Sequence, residues 1–269
     1  MLIQCLGAFI LSTEETQTIP RPSGRATLFI ALLVNANDTL TSDQLIEEIW
    51  PDHIPDDPYG SLHAQISRLR KDMRNWGIDG VTANICHQHP GYMLTIDESL
   101  VDISTFTSLV EQCTAAFPSD PETAMECARR GLEIWHGTPF TAHRVGFLGK
   151  IARMRLEESQ LIAQEVLVDS ALAMGLHRHS IGRLKELVVT HPYRERFHEQ
   201  LMTALYRSGR QGEALQVYRE ACTRLHRELG IEPSPPLQQL MNRMLQQDPA
   251  VLDYSPLTPW GLHTKSFAH

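Results

Sequence analysis

The sequence has no long apolar run, few cysteines and few cations. A membrane-spanning helix needs about 20 consecutive apolar residues, and no segment of the 269 residues approaches that length. The segment Met1 to Leu11 is apolar but lacks a basic n-region, so a first β-strand is favoured over a signal peptide. The five cysteines lie far apart and form no CxxC pair, so we predict neither a disulfide nor a cysteine metal site. These absences favour a soluble cytoplasmic protein with reduced thiols.

Positive charge is scarce and unevenly distributed. The net charge is −8, which argues against general binding to nucleic acid. Residues 1–103 contain six lysines and arginines against fourteen aspartates and glutamates. Four of the six cations fall in one short segment, as Arg68, Arg70, Lys71 and Arg74. A local basic patch on an acidic chain disfavours non-specific coating of DNA and singles out one segment for specific contact.

The apolar pattern of residues 1–103 predicts a winged helix-turn-helix. Two or three short strands come first, followed by three helices and a C-terminal hairpin joined by His87-Gln88-His89-Pro90-Gly91. The predicted helices are 25–34, a segment from an N-cap at Ser42 to Pro51, and about 58–76, and the predicted hairpin strands are 81–86 and 92–96. A small sheet, three helices and a hairpin follow each other in this order in winged helices.

The third predicted helix has an apolar face and a polar, cationic face. Apolar residues spaced i, i+4, i+7 and i+11 predict the buried side, namely Leu62, Ile66, Leu69 and Met73. The opposite side carries small, polar and basic residues, which suit a helix in the major groove. The predicted phosphate or guanine contacts are Arg68, Arg70 and Lys71, flanked by Arg74; the predicted base-edge contacts are Ser61, His63, Ala64 and Ser67; Arg25 is predicted to clamp the DNA backbone. The alternative is that these cations form only a solvated face.

The hairpin offers two interpretations. Gly91 and Tyr92 belong either to a wing that reaches the adjacent groove, with His87 and His89 supplying polar contacts, or to a turn with a packed tyrosine. An HxH pair without a third ligand is weak evidence for metal binding. We therefore predict no metal site.

From Asp102 onward the sequence predicts only helices. A helical hairpin is predicted over 106–117 and 121–135. Placing Gly175 on Gly209, an offset of 34, also superimposes Leu167 on Leu201 and Leu184 on Tyr218. This is the tetratricopeptide period, in which paired helices stack because one repeat cannot bury its own apolar face. Two repeats are fewer than the usual three, so the helices before Leu148 are expected to supply a cap.

The predicted fold class is mainly α, with an N-terminal winged helix-turn-helix followed by an all-α tetratricopeptide-like domain. The predicted domains are a winged helix over residues 1–103, a helical domain over 104–250 and a loose tail over 251–269.

Several motifs resemble those of one known family. The run Leu45–Trp50, Ser67-Arg68-Leu69-Arg70 and Pro90-Gly91-Tyr92 are similar to the winged helix of response-regulator-type activators. Residues 191–248, which include Pro192-Tyr193-Arg194-Glu195-Arg196 and Gly230-Ile231-Glu232-Pro233, resemble the bacterial transcriptional activator domain. The combination is typical of the Streptomyces antibiotic regulatory protein family and covers roughly residues 1–250. His63 in the third helix and His87 and His89 at the hairpin tip depart from the usual family residues.

The resemblance implies a transcriptional activator of clustered biosynthetic genes. Such proteins bind direct repeats in double-stranded DNA near promoters and engage RNA polymerase holoenzyme, and head-to-tail pairing implies a homodimer on DNA. An enzyme is disfavoured because the sequence has no P-loop, GxSxG or HExxH motif, and no cofactor or membrane partner is predicted. The remaining alternative is a non-enzymatic scaffold whose helical repeats bind protein.

Overall fold

The computed structural model describes residues 2–12, 17–78 and 80–252, which divide into two compact units. The first unit comprises the described residues up to Glu111 together with Arg130–Ile162. The second comprises Gln112–Arg129 and the described residues from Ala163 onward. This division groups residues by packing, and the predicted functional boundary between residues 103 and 104 stays a prediction. No helix in the described ranges is both long and apolar enough to cross a membrane.

The chain begins with a three-stranded antiparallel sheet, as predicted. Its strands are β1 (Leu2–Gln4), β2 (Ile10–Ser12) and β3 (Gln17–Thr18), in the order β1-β2-β3. The buried carboxylate of Asp102 accepts hydrogen bonds from the backbone N–H groups of Cys5 at 2.8 Å and Leu6 at 3.0 Å. These bonds satisfy backbone donors that follow β1 and would otherwise be buried without partners.

Three helices follow, close to the predicted positions. They are α1 (Gly24–Val34), α2 (Ser42–Ile49) and α3 (Pro58–Asn75). Helix α1 buries every residue from Ala26 to Leu33, as expected of a helix that is apolar all round. The predicted N-cap of α2 was wrong by one residue, because Thr41 caps the helix in a reciprocal capping box with Gln44, and Ser42 is the first helical residue.

The predicted hairpin belongs to a second three-stranded sheet. Strands β5 (Ala83–Gln88) and β6 (Gly91–Ile96) pair antiparallel, and β4 (Leu40–Thr41) pairs with the other edge of β6, so the order is β4-β6-β5. The sequence did not predict β4, because two residues are too few to show an alternating pattern. Strand β4 thus joins the start of α2 to the hairpin of β5 and β6, which we call the wing.

Helices account for almost all of the chain after β6. They are α4 (Asp102–Ala116), α5 (Pro121–Glu133), α6 (Phe147–Ala173), α7 (His177–Thr190), α8 (Glu195–Arg207), α9 (Gln211–Leu229) and α10 (Pro235–Leu245). Helices α4, α5 and α6 each contribute residues to both units. Helix α6 is 27 residues long, and no bounds were predicted for it from the sequence. The predicted tail, 251–269, lies outside the described residues from position 253 onward, and Val251 at its start is buried.

The tetratricopeptide-like repeat is confirmed. Gly175 and Gly209 occupy equivalent positions after α6 and α8, with φ of 76° and 77°, a left-handed conformation that favours glycine. Residues from α6 to α9 share one core with α10, including Leu184, Leu201 and Leu237. Helix α10 therefore packs onto the repeat as part of the same core, which no motif in the sequence had indicated.

The Pro192-Tyr193-Arg194-Glu195-Arg196 motif holds this unit together through ion pairs. Arg196 bridges Asp169 at 2.7 Å and Glu199 at 2.8 Å, and Arg194 contacts Glu165 at 2.5 Å. The two carboxylates around Arg196 raise the pKa of its guanidinium, although burial opposes this shift. Both arginines of this motif therefore form ion pairs with carboxylates of the same unit.

A buried carboxylate caps the long helix α6. Glu48, in α2, is 2% exposed, and its two carboxylate oxygens accept hydrogen bonds from the N–H groups of Leu148 at 2.7 Å and Gly149 at 3.3 Å. The first N–H groups of a helix have no partner within the helix, and they favour a negative charge. At Gly146 an added Cβ would lie 2.5 Å from the carboxylate carbon of Glu48, so glycine makes this approach possible.

We expect Glu48→Ala to lower the free energy of unfolding by about 2 kcal/mol, because it leaves helix donors buried without an acceptor. Chemical denaturation followed by circular dichroism measures the change. The matched control is Glu47→Ala, one residue away and exposed, which should change stability by less than about 0.5 kcal/mol. Equal losses in both variants would contradict the capping role.

Candidate nucleic-acid interface

Helix α3 begins at a tight cap. Asp57 is the N-cap and accepts a hydrogen bond from the N–H of Gly60 at 2.9 Å, while Pro58 fills the first helical position. A Cβ at Gly60 would lie 2.0 Å from a carboxylate oxygen of Asp57. The absence of a side chain at this position is therefore explained by the cap itself.

The two faces of α3 are as the spacing predicted. Leu62, Ile66, Leu69 and Met73 are all buried. Most of the predicted contact residues on the other side are exposed, namely His63, Ala64, Ser67, Arg68, Lys71 and Arg74, and Ser61 is half-buried. Among the residues that the structure describes, the side chains of Arg68, Lys71 and Arg74 have no hydrogen-bond or ion-pair partner. Three cationic side chains on one helix are thus available for an external ligand.

Two other predicted cations already have partners inside the protein. Arg25 pairs with Asp72 of α3 at 2.5 Å, with both side chains partly exposed. Arg70 donates from Nε and Nη2 to the backbone oxygen of Ile85 in β5, at 3.1 and 2.7 Å. Both arginines orient α3, through α1 in one case and the wing in the other. A direct contact of either guanidinium with DNA would have to replace or share these bonds.

Gly91 and Tyr92 lie within the second sheet and not at its surface. Gly91 is buried, and a Cβ there would come within 1.9 Å of the backbone oxygen of Leu40. Tyr92 is 2% exposed. These positions favour the alternative interpretation, a hairpin turn with a packed tyrosine, and do not support direct contact of either residue with DNA.

The hydroxyl of Tyr92 reaches α3. It lies 2.5 Å from Nδ1 of His63, and the ring of His87 in β5 is near both side chains. The ring centroids are 6.4 Å apart for His63 and His87 and 5.2 Å apart for His87 and Tyr92. Burial raises the pKa of the Tyr92 phenol. No local pattern in the sequence indicates this contact between the helix and the wing.

Tyr59 also lies beside this surface, although the sequence analysis gave it no role. It stands three residues before Leu62 and so extends the apolar stripe, yet it is 52% exposed. Its hydroxyl donates to Asp43 of α2 at 2.7 Å. The tyrosine links the first turns of α2 and α3.

The wing histidines form no larger ligand set. Within residues 2–12, 17–78 and 80–252, no group of three or more histidine, cysteine, aspartate or glutamate side chains is arranged to hold a metal ion. The groups that this surface offers to a ligand are therefore its cations and small polar residues.

Comparison with known proteins identifies the family. The profile of the Bacterial transcriptional activator domain matches residues 101–245. Transcriptional regulator RedD of Streptomyces coelicolor is 34% identical over 250 residues, which are 93% of this chain and 71% of RedD. The chain belongs to the Streptomyces antibiotic regulatory protein family.

Other matches to this family include longer proteins. Regulatory protein AfsR of Streptomyces coelicolor is 35% identical over 246 residues, but the match covers 24% of AfsR. The solved structure of Mycobacterium tuberculosis EmbR in complex with low affinity phosphopeptide superimposes with a TM-score of 0.83 at 29% identity. That match covers 93% of this chain and 68% of the EmbR chain. The predicted fold class, a winged helix-turn-helix followed by a tetratricopeptide-like domain, is confirmed.

Proposed function

We propose that the chain is a sequence-specific DNA-binding activator of transcription, acting in the cytoplasm on a biosynthetic gene cluster. Residues 1–103 would bind direct repeats in double-stranded DNA near promoters, with two copies cooperating on adjacent repeats. Residues 104–250 would engage RNA polymerase holoenzyme. The relatives' names as transcriptional regulators support the general role.

The DNA-binding part of the proposal rests on the cationic face of α3, where three side chains have no partner among the described residues. Arg68, Lys71 and Arg74 project from a helix whose apolar face is buried, and Ala64 and Ser67 leave room for close approach. The major groove admits one helix, whose cations hold phosphates while its polar residues meet base edges. We assign direct contacts to these residues with Ser61 and His63, and an orienting role to Arg25, Arg70, Gly91 and Tyr92.

Selection of bound genomic fragments by the purified full chain tests this proposal. We expect recovery of fragments that share a direct repeat, and the sequencing of these fragments gives repeat spacing and base preference together. A scaffold that uses its helical repeats only for protein contacts would retain no fragments above background. That result would overturn the proposal in favour of the scaffold.

The polymerase contact is assigned to an exposed face of α9. Arg219, Arg224 and Arg227 line a shallow depression of about 290 Å³ together with Gln216, Glu220 and Thr223. In the described part of the chain, the side chains of Arg219 and Arg224 have no ion-pair or hydrogen-bond partner. On a chain with a net charge of −8, such a face suits an acidic protein segment by charge complementarity.

We expect the double variant Arg219→Glu, Arg224→Glu to lower activated transcription about tenfold in a run-off assay. The two introduced glutamates would repel the acidic segment of the polymerase that this face is proposed to bind. Its affinity for promoter DNA should be unchanged. The matched control is Arg155→Glu with Arg178→Glu, two exposed arginines on other helices. Unchanged activation by the α9 variant, or an equal loss in the control, would contradict this assignment.

A further inference from the structure

The contact between His63 and Tyr92 joins an exposed residue of α3 to a buried residue of the wing. Tyr92 is held in the central strand of its sheet, where it pairs with Leu40 on one side and His87 on the other. The position of its hydroxyl is therefore set by the backbone of three strands. His63 meets this hydroxyl through Nδ1, at 2.5 Å.

The rings around His63 restrict the orientation of its imidazole. His87 stacks on it with an interplanar angle of 23°, and Tyr92 meets it edge-on at 75°. Rotation about the side-chain bonds would break the hydrogen bond and both ring contacts together. The side chain is thus held in one orientation before any ligand arrives.

The hydrogen bond also selects a tautomer. A neutral imidazole carries one proton, and the nitrogen that carries it is decided by the partner of the other nitrogen. The phenol of Tyr92 has a hydrogen to donate, and Nδ1 of His63 is its hydrogen-bond partner among the described residues. If Nδ1 donated instead, the hydroxyl hydrogen of Tyr92 would be buried without an acceptor, which is the costlier arrangement. The proton of His63 therefore lies on Nε2.

We propose that Tyr92 is a positioning residue for base recognition, whose hydroxyl donates to Nδ1 of His63 and so presents Nε2–H to the DNA as a hydrogen-bond donor. Donors of this kind match the major-groove acceptors of the purines, N7 of adenine or guanine and O6 of guanine, and O4 of thymine. This inference rests on the proposed DNA-binding function. It gives buried Tyr92 a part in specificity without direct contact with DNA.

The first test is the tautomer of His63 in the free, full-length protein. Nitrogen-15 NMR of the imidazole groups distinguishes Nε2–H from Nδ1–H, and a His63→Gln variant assigns the signals. We expect the Nε2–H tautomer in the wild type and a mixture of tautomers in Tyr92→Phe, which keeps the ring but loses the hydroxyl. The matched control is Tyr59→Phe, which removes the hydroxyl bonded to Asp43 and should leave the His63 signals unchanged.

The second test is base preference in DNA selected from a random-sequence duplex pool. We expect Tyr92→Phe to lower the preference at one base pair of each repeat about threefold to tenfold, the range for one hydrogen bond. The salt dependence of binding should stay the same, because phosphate contacts are untouched. His63→Gln should alter the preference at that same base pair, and Tyr59→Phe should not.

These outcomes separate the inference from the function on which it rests. A wild-type His63 in the Nδ1–H form, or a Tyr92→Phe variant that keeps the wild-type tautomer, would overturn the inference even if DNA is bound. A chain that shows the expected tautomer but binds no DNA would overturn the proposed function and with it the role in base recognition, while the contact between His63 and Tyr92 would stand. If Tyr92→Phe does not fold, the wild-type spectrum still decides, because a mixture of tautomers like that of a free histidine would overturn the inference.

Discussion

Replacing Arg68 and Lys71 together by alanine is expected to weaken DNA binding about thirtyfold near physiological salt. Each lost phosphate contact lowers the slope of log affinity against log salt concentration by about 0.9, so the double variant should lose about 1.8. Both side chains are exposed on α3 without a partner among the described residues, so their removal leaves the fold intact. Fluorescence anisotropy with a labelled duplex at several salt concentrations measures affinity and slope in one series.

The matched control for this experiment removes two charges elsewhere. Arg155→Ala with Arg178→Ala changes the net charge equally, at exposed positions on α6 and α7. We expect it to alter the slope little. If the α3 variant kept the wild-type slope, or if both variants lost the same amount, α3 would not be the element that meets the phosphates.

Leu201→Asp is expected to unfold the helical-repeat unit. Leu201 is 2% exposed on α8 and belongs to the core shared by α6 to α10. The substitution removes a buried apolar side chain and places a carboxylate in the same space, at a cost of several kcal/mol. Whole domains are stable by only about 5 to 15 kcal/mol, so most of the stability would be lost. Thermal melting followed by circular dichroism measures the loss of helix.

Two further variants distinguish this effect from charge alone. Val189→Asp places the same group at a position that is 73% exposed on α7, and we expect little change in the melting temperature. Leu201→Met keeps the volume and should cost less than about 1.5 kcal/mol. Wild-type melting of Leu201→Asp would show that α8 does not pack as described.

Elements with strong local patterns were predictable from sequence. The spacing of Leu62, Ile66, Leu69 and Met73 correctly predicted the buried face of α3, because burial of one helix face imposes the helical period on the sequence. The offset between Gly175 and Gly209 likewise located the repeat, because each glycine follows a helix in a left-handed conformation.

The contacts that orient the candidate interface were not predictable in the same way. Arg25 looked like a free cation, yet it pairs with Asp72, 47 residues away. Tyr92 was predicted either to reach DNA from a wing or to pack inside the hairpin, and neither interpretation anticipated its contact with His63, 29 residues away. Contacts at such separations produce no periodic pattern in the sequence. Neither residue by itself therefore identifies its partner. Which cations are free and which are paired depends on how the elements pack.

By itself the sequence determined the order of the helices and hairpin strands in residues 1–103 apart from the two-residue β4, the buried face of α3 and the family, since each of these is written in local spacing and motifs. Only the tertiary structure decided that Glu48 caps α6, that Arg70 donates to the backbone of β5 and that Tyr92 is inside the sheet. The physical reason is that hydrogen bonds and ion pairs join atoms that are neighbours in space, and their geometry exists only once the chain has folded.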